Sequence, residues 1–416
     1  MNTVQDGVAA AAWADATTVI IGAGQAGGWA AQTLRAEGFN GRIVLLGNES
    51  HLPYERPPLS KAVLSGEAHP QSTWLLKDSA FAELRLEWRP QTSATRIDRD
   101  NRRVELEGGE AIAYDKLILC TGGRARPLPV PGGDLPEVRT LRTIDDAALL
   151  APCLVAGRKL VIVGGGWIGL EVAATARAKG MDVVVLEAQS RLCERSVPQD
   201  VSQHLLELHR SHGVEVMLGA KVQSIDERAG GLCVRLADGK SIDAHTVFAG
   251  VGLIANDELA REAGLRCDGG VMVDSACRTS DPSIFAAGDV AISPNPWMGA
   301  SLRLESWQNA QEQGMAAARA SMGHPVDYGP LPWFWSDQFG VNLQIYGVPR
   351  AAHRVVRRQA PGSDSFTLFY LDGEHVKAAI GFNAAKDVRF AKRLIEQQRP
   401  VDAERLSDTG IPMAKQ

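Results

Sequence analysis

One local pattern occurs twice in this chain, and it constrains the fold more than any other feature. Residues 18–49 read TVIIGAGQAGGWAAQTLRAEGFNGRIVLLGNE, and residues 159–187 read KLVIVGGGWIGLEVAATARAKGMDVVVLE. Each copy opens with a short apolar run and passes through Gly-x-Gly-x-x-Gly: Gly22, Gly24 and Gly27, then Gly164, Gly166 and Gly169. A small-residue helical pattern follows, closed by Gly38 or Gly180, and a second apolar run delivers an acid, Glu49 or Glu187. The first glycine permits a tight turn, the second lets backbone approach a pyrophosphate, and the third lets helix and strand pack closely. The helix amino terminus offers free N–H groups to phosphate oxygens, and the acid is placed to accept ribose hydroxyl hydrogens. One such fingerprint is a weak signal. Two, each in full strand–turn–helix–strand–acid context, predict two dinucleotide sites in a doubly wound α/β framework.

Glu187 also bears on which dinucleotide the second unit takes. A carboxylate accepts both ribose hydroxyls of NADH and repels the extra phosphate of NADPH. The next residues, Ala188-Gln189-Ser190, add no positive charge, whereas Arg191 and Arg195 follow and leave a phosphate site open at this stage. NADH is the expectation.

A chain of 416 residues exceeds the roughly 250–300 at which one hydrophobic core stops growing, so two or three domains are expected. A net charge of −5 gives no general reason to expect nucleic acid or an anionic membrane as partner. No apolar run approaches the ~18 residues that span a bilayer. The first sixteen residues, MNTVQDGVAAAAWADA, lack a basic start and carry Asp6 and Asp15. They read as a frayed extension rather than a secretory signal, and a cytoplasmic location is expected. Cysteines stand at 120, 153, 193, 233, 267 and 277, with no Cys-x-x-Cys pair. That spacing signals no zinc site, iron–sulfur cluster or redox disulfide. No metal is expected, and any one-electron carrier must be a separate molecule.

Behind Glu49 comes SHLPYERPPLSKAVLSG, where Pro53, Pro57 and Pro58 predict a stiff loop without regular structure. Tyr54, Arg56 and Lys61 are held in it, and its place behind a nucleotide unit favours ligand contact. Residues 92–119 alternate as hairpin strands, and RARPLPVPGGDLP (124–136) reads as a linker between domains. An amphipathic helix is predicted over Val201–Gly213, a glycine-loosened strand end at 248–252, and a short apolar strand running into Gly288-Asp289. From about Tyr328 the chain gives aromatic-rich strands to Phe382, then a basic helix near 384–397.

In order along the chain, GAGQAG, PYERPPLSK, GGGWIGLE, SIFAAGDV, RLESWQNAQEQG and WFWSDQ resemble the FAD-dependent ferredoxin reductases of bacterial oxygenase systems. The resemblance is to reductases serving aromatic-ring dioxygenases and to the rhodocoxin- and putidaredoxin-reductase type. It implies two Rossmann-like domains in a glutathione-reductase-like arrangement plus an α+β C-terminal domain. The FAD domain would be split over 1–125 and 251–327, with NADH taken by 126–250 and the α+β domain formed by 328–416. Gly22, Gly24, Gln25, Gly27 and Glu49 would hold the adenosine end of FAD. Arg56, Lys61 and Arg142 would touch it, Asp289 its ribityl chain, and the Trp307 neighbourhood its ring. Gly164, Gly166, Trp167, Ile168, Gly169, Glu187, Arg195 and Gly252 would serve NADH.

By the same resemblance Lys61 and Glu171 would form an ion pair beside the flavin's reactive nitrogen, and Trp335 would lie near flavin and nicotinamide. Arg303 would help dock an acidic ferredoxin, joined more weakly by Arg389, Lys392 and Arg393. Two departures stand out. Asn48 occupies a place where an acid is common, and the bulky Trp167 sits inside the second fingerprint, where it would lie against the nicotinamide.

The implied activity is NADH:ferredoxin oxidoreduction: a hydride to FAD, then single electrons to a two-iron two-sulfur ferredoxin of Rieske or plant/vertebrate type. That ferredoxin would feed a terminal oxygenase, an aromatic-ring dioxygenase or a haem mono-oxygenase. A disulfide reductase would need a cysteine pair near PPLSK, and there is none. A small-radical reductase, which shares the Pro-Tyr-Glu-Arg-Pro loop, and a rubredoxin reductase stay open. So does an NADH-responsive redox-sensing interaction protein resembling apoptosis-inducing factor.

Overall fold

The computed structural model describes Trp13 and residues 15–415. The frayed extension expected over the first sixteen residues lies mostly outside the described residues. Trp13 departs from it, with its ring centroid 5.7 Å from that of Phe39. The chain forms two compact units. The first comprises residues up to Glu55, Gln71–Arg124 and Ile254–Pro330; the second comprises Arg56–Pro70, Ala125–Leu253 and Leu331–Gln416.

In the first unit, β1 (Thr17–Ile21) leads through the glycine turn into α1 (Gln25–Ala36) and back to β2 (Arg42–Leu46). β1 pairs in parallel with β2 on one side and with Lys116–Leu119 on the other. Leu86–Arg89 and Ile284–Ala286 extend the sheet to five strands. Strand alternation gives the sheet two buried faces. Ile20 packs into one core with Leu34, Ile43 and Leu45, while Val19 and Ile21 pack into the other with Val44, Val104 and Leu117. Each such side chain contributes roughly 1.5–3 kcal/mol on burial.

Sequence reading did not foresee the helix Trp307–Ser321 of this unit. It lies tightly on α1: a Cβ on Gly314 would fall 2.3 Å from the Ala26 carbonyl oxygen. Its alanines supply the small surface that lets two helices approach so closely.

The second unit repeats the plan. β3 (Lys159–Val163), α2 (Trp167–Ala178) and β4 (Asp182–Glu187) follow one another. β3 is flanked in parallel by β4 and by Thr246–Ala249, and Glu215–Leu218 and Val138–Arg139 complete five strands. The helix α3 (Gln199–Ser211) begins two residues before the amphipathic stretch predicted over Val201–Gly213 and ends two residues short of its end. An antiparallel five-stranded sheet begins with β5 (Trp333–Gln338), and its strands run to Phe382, followed by α4 (Ala385–Gln397). Leu160 and Ile162 of β3, Leu170 and Val172 of α2, and Leu343, Ile345 and Phe382 of that sheet share one core. The two regions therefore pack on each other within the second unit.

Two expectations are corrected here. Pro57–Ser60 is a 3₁₀ turn and Ala62–Ser65 a turn of α-helix, not a loop devoid of regular structure. Proline is welcome at the start of a helical turn, where its missing N–H would have no partner anyway, and Leu59 and Leu64 are buried beneath. The stretch 124–136 is not a free linker either. Leu128 joins a core with Val161, Val184 and Ile225, and Ile225 N–H donates to the Pro131 carbonyl at 2.9 Å.

Candidate functional site

The two glycine turns are nearly superimposable in their local constraints. Gly22 has φ +106° and Gly164 φ +108°, a left-handed backbone that favours glycine. Gly22 N–H donates to Leu46 O at 2.9 Å, and Gly164 N–H donates to Leu186 O at 2.8 Å. A Cβ on Gly27 would lie 1.9 Å from Gly22 O, and one on Gly169 would lie 2.2 Å from Gly164 O. The third glycine of each fingerprint is thus required by direct contact of helix and turn.

The middle glycines behave differently. A Cβ on Gly24 or Gly166 would meet nothing within 4 Å, so the backbone there faces open space that a ligand can approach. Gly24 caps α1 and Gly166 caps α2; neither cap uses a side chain, and neither first turn holds an acid. Gln25, the first residue of α1, is buried with neither amide atom hydrogen-bonded, and a buried amide of that kind calls for a polar partner. These features fit a dinucleotide pyrophosphate at each turn.

The acids of the two repeats are held in different ways. Glu49 Oε2 accepts the Tyr54 hydroxyl at 2.5 Å. Glu187 accepts backbone N–H groups at both oxygens, Gly165 on Oε2 at 2.7 Å and Gln189 on Oε1 at 2.7 Å. Arg191, which sequence alone left open as a phosphate ligand, donates to Val197 O, Ser202 Oγ and Glu194 O. Its guanidinium is committed to folding the 191–202 turn. Arg195 is exposed, and Gly252 closes the facing loop at φ +113° with its carbonyl taken by Arg126 N–H.

In the first unit the turn before Asp289 is fixed by residues that sequence reading passed over. Gly288 N–H donates to Gln313 Oε1 at 2.9 Å. Asn309 Nδ2 also reaches that oxygen, at 3.3 Å, and Tyr328 O–H donates to Asn309 Oδ1 at 2.9 Å. Polar residues in the alanine-rich helix were the available signal. Trp307 is the first residue of that helix, which Ser306 caps through Asn309 N–H. Arg303 donates to Asp289 O at 3.2 Å and pairs with Glu305 at 2.9 Å.

The second unit brings Lys61 and Glu171 together, Nζ to Oε2 at 2.8 Å, with Glu171 3% exposed and Lys61 20%. Ser60 O–H donates to the same oxygen at 2.5 Å, and Ser336 O–H donates to Oε1 at 2.6 Å. One turn beyond Glu171, Thr175 Oγ1 donates to the Ser60 carbonyl at 2.8 Å, so α2 grips the 57–61 turn at two points. Arg56 Nη1 donates to the Arg142 carbonyl at 2.6 Å. Trp335 stacks on Trp333, ring centroids 4.9 Å apart.

Trp167 packs on Phe334 at 4.9 Å and lies against the shared core; Ile168 beside it is exposed. On α4, Arg389 and Arg393 are exposed, while Lys392 lies over the Tyr346 ring and pairs with Glu396.

All six cysteines are free thiols. Burial pushes Cys120 up to about 12 and raises Cys193 and Cys277 further, so these three are not nucleophilic thiolates. Among the described residues no His, Cys, Asp and Glu cluster could hold a metal ion, and no helix is long and apolar enough to cross a membrane.

Residues 16–314 match the family described as pyridine nucleotide-disulphide oxidoreductase, and residues 333–416 match the reductase C-terminal family. The chain is 41% identical to rhodocoxin reductase of Rhodococcus erythropolis, over 95% of this chain and 93% of that protein. It is 38% identical to the ferredoxin–NAD(+) reductase component of the anthranilate 1,2-dioxygenase system of Burkholderia cepacia, over 94% and 97%. The reductase in the crystal structure of the covalent putidaredoxin reductase–putidaredoxin complex superimposes with a TM-score of 0.91 at 38% identity, over 96% of this chain and 98% of that one.

Proposed function

The chain belongs to the pyridine nucleotide-disulphide oxidoreductase family, and from that premise we infer that it is an FAD-dependent NADH:ferredoxin oxidoreductase. It takes electrons from NADH and passes them singly to a two-iron two-sulfur ferredoxin that serves a terminal oxygenase. The relatives named for rhodocoxin and for an anthranilate dioxygenase system support both the electron acceptor and its setting. In this reading FAD is held by 1–125 with 251–327, NADH by 126–250, and 328–416 forms the C-terminal domain. Six free thiols suit a reducing, cytoplasmic compartment.

One observation carries the choice within the family. Where a disulfide reductase would present its dithiol, this chain has Ser60 and Lys61 hydrogen-bonded to the buried Glu171 carboxylate. With no thiol pair to accept electrons, they must leave for a separate carrier. Bound FAD supplies the conversion between two-electron and one-electron chemistry. The chain supplies binding, orientation and charge. The α1 terminus with Gln25 holds one pyrophosphate and the α2 terminus the other. Glu187, with each oxygen already fixed by an N–H, presents its remaining lone pairs to the two ribose hydroxyls of NADH and repels a 2′-phosphate. Lys61, held by Glu171, would supply the positive charge that favours a flavin as it gains electrons. The exposed Arg389 and Arg393 of α4 offer positive charge to an acidic ferredoxin.

The test is NADH-driven cytochrome c reduction by the FAD-loaded enzyme, with and without a small panel of two-iron ferredoxins. A large ferredoxin-dependent gain with NADH and little rate with NADPH is expected. Rapid NADH oxidation with no gain from any ferredoxin, and with fast reduction of small organic radicals or rubredoxin instead, overturns the assignment.

A further inference from the structure

The two oxygens of Glu171 are held in unlike ways. Oε2 takes Lys61 and Ser60. Oε1 takes Ser336 O–H, and behind Ser336 the polar groups continue into the interior. Gln338 Nε2 lies 2.9 Å from Ser336 Oγ, and His209 Nε2 lies 2.8 Å from Gln338 Oε1. Ser336, Gln338 and His209 are 1%, 4% and 0% exposed. The strand pleat accounts for part of the alignment: Ser336 and Gln338 are two apart on β5 and share its inner face, while Asp337 between them faces outward.

The direction of each hydrogen bond is determined. A carboxylate paired with Lys61 has no proton to give, so the single hydroxyl proton of Ser336 goes to Glu171. Ser336 Oγ then accepts, and only the N–H₂ end of Gln338 can donate to it. That turns the Gln338 carbonyl toward His209, whose proton must sit on Nε2. Every donor therefore points toward Glu171. The amide in the middle cannot pass a proton without leaving its amide form, so the chain holds a geometry and does not conduct protons. His209 Nδ1 is left buried without a partner, a cost that an apolar residue at this position would avoid. The ring is explained by what Nε2 does.

We infer that Ser336, Gln338 and His209 are positioning residues for Lys61: a directional donor chain that pins Glu171 Oε1, so that Oε2 stays turned toward the lysine ammonium. This rests on the reading that the Lys61–Glu171 pair serves the flavin. The experiment compares Ser336→Ala, Ser336→Thr, Gln338→Met, Glu171→Gln and the Ser336→Ala/Glu171→Gln double variant as FAD-loaded proteins. Flavin midpoint potential and the anaerobic rate of flavin bleaching by NADH are measured for each.

Ser336→Ala is expected to slow bleaching about tenfold, the low end for one hydrogen bond to a charged group, and to lower the potential. Gln338→Met has the same effect in smaller degree, and Ser336→Thr restores both quantities. The double variant is no slower than Glu171→Gln alone, because the chain acts only through that carboxylate. The inference is overturned if the full tenfold loss persists on top of Glu171→Gln, or if Glu171→Gln is impaired while Ser336→Ala and Gln338→Met match the unaltered protein. If Glu171→Gln itself leaves rate and potential unchanged, the flavin reading of the pair falls, and the inference falls with it.

Discussion

The buried ring of His209 ties the stability of the second unit to pH. Burial pushes its pKa down from the ordinary 6.5 to about 4; the hydrogen bond with Gln338 opposes that shift and the charge of His212 adds to it. A gap of about 2.5 units, at roughly 1.36 kcal/mol per unit, corresponds to about 3 kcal/mol. The unfolded chain takes the proton first. Well above pH 6.5 the ring is neutral in both states and its titration adds no cost. Between 6.5 and about 4 the folded state loses stability as pH falls, by up to about 1.4 kcal/mol per unit, and below about 4 the loss is complete.

Other groups titrate in the same range, including His204, whose pKa burial also lowers, so the informative quantity is a difference between proteins. His209→Gln keeps an N–H for Gln338 and removes the titration. Urea unfolding followed by tryptophan fluorescence at pH 7, 6 and 5 should show the unaltered protein losing about 2 kcal/mol relative to His209→Gln between the first and last pH. Parallel stability curves for the two proteins over that interval would refute the reasoning, because they would mean that the ring titrates alike folded and unfolded.

Three further outcomes follow from contacts already described. Gly27→Ala and Gly169→Ala each force a methyl group into a turn carbonyl, which should cost about 3 kcal/mol or more; the first should emerge from purification with little flavin absorbance, and the second should keep FAD but show a raised KM for NADH. Glu187→Ala removes the carboxylate that two backbone N–H groups orient, and the kcat/KM ratio of NADH to NADPH should fall at least about tenfold while FAD content is unchanged. Arg358 is 7% exposed and binds Asp387 together with the carbonyls of Leu406, Asp408 and Ile411; Arg358→Met should destabilise by about 3–5 kcal/mol, read as earlier proteolysis of the 402–412 segment at a given urea concentration.

What the sequence made legible was what repeats or recurs at short range. The two fingerprints announced their strands, turns and helices because the first and third glycines of each answer a local demand, and α3 showed in its amphipathic pattern. Three kinds of feature were hidden. The helix Trp307–Ser321 has no wide apolar stripe; its packing face is alanine and glycine against α1, which resembles nothing from the sequence side. The 57–65 turns hid behind prolines that happen to fall at helical starts. The chain from His209 to Glu171 joins residues more than a hundred positions apart, and neither a serine nor a glutamine advertises a partner at that range. Lys61 and Glu171 themselves came from resemblance; spacing alone could not have paired them.

The two repeats share a backbone solution and differ in how they treat their acids, and the difference carries chemical consequence. Glu187 is fixed by its own surroundings: Gly165 lies in the turn between β3 and α2, and Gln189 lies two residues past the end of β4, so folding this stretch also orients the carboxylate. Gly165 must stay small for this, since a Cβ there would fall 3.1 Å from Glu187 Oε2 and 2.5 Å from Leu192. Glu49 instead takes a hydroxyl from Tyr54, on the segment that follows it. Its orientation depends on how that segment folds, and the same segment runs on to Arg56 and Lys61. In the proposed reading Glu187 therefore meets its ribose with a self-contained device, suited to a ligand that must come and go with fixed selectivity. In that same reading Glu49 relies on the Tyr54 hydroxyl, which comes from outside its own glycine turn, an arrangement suited to a ligand that stays.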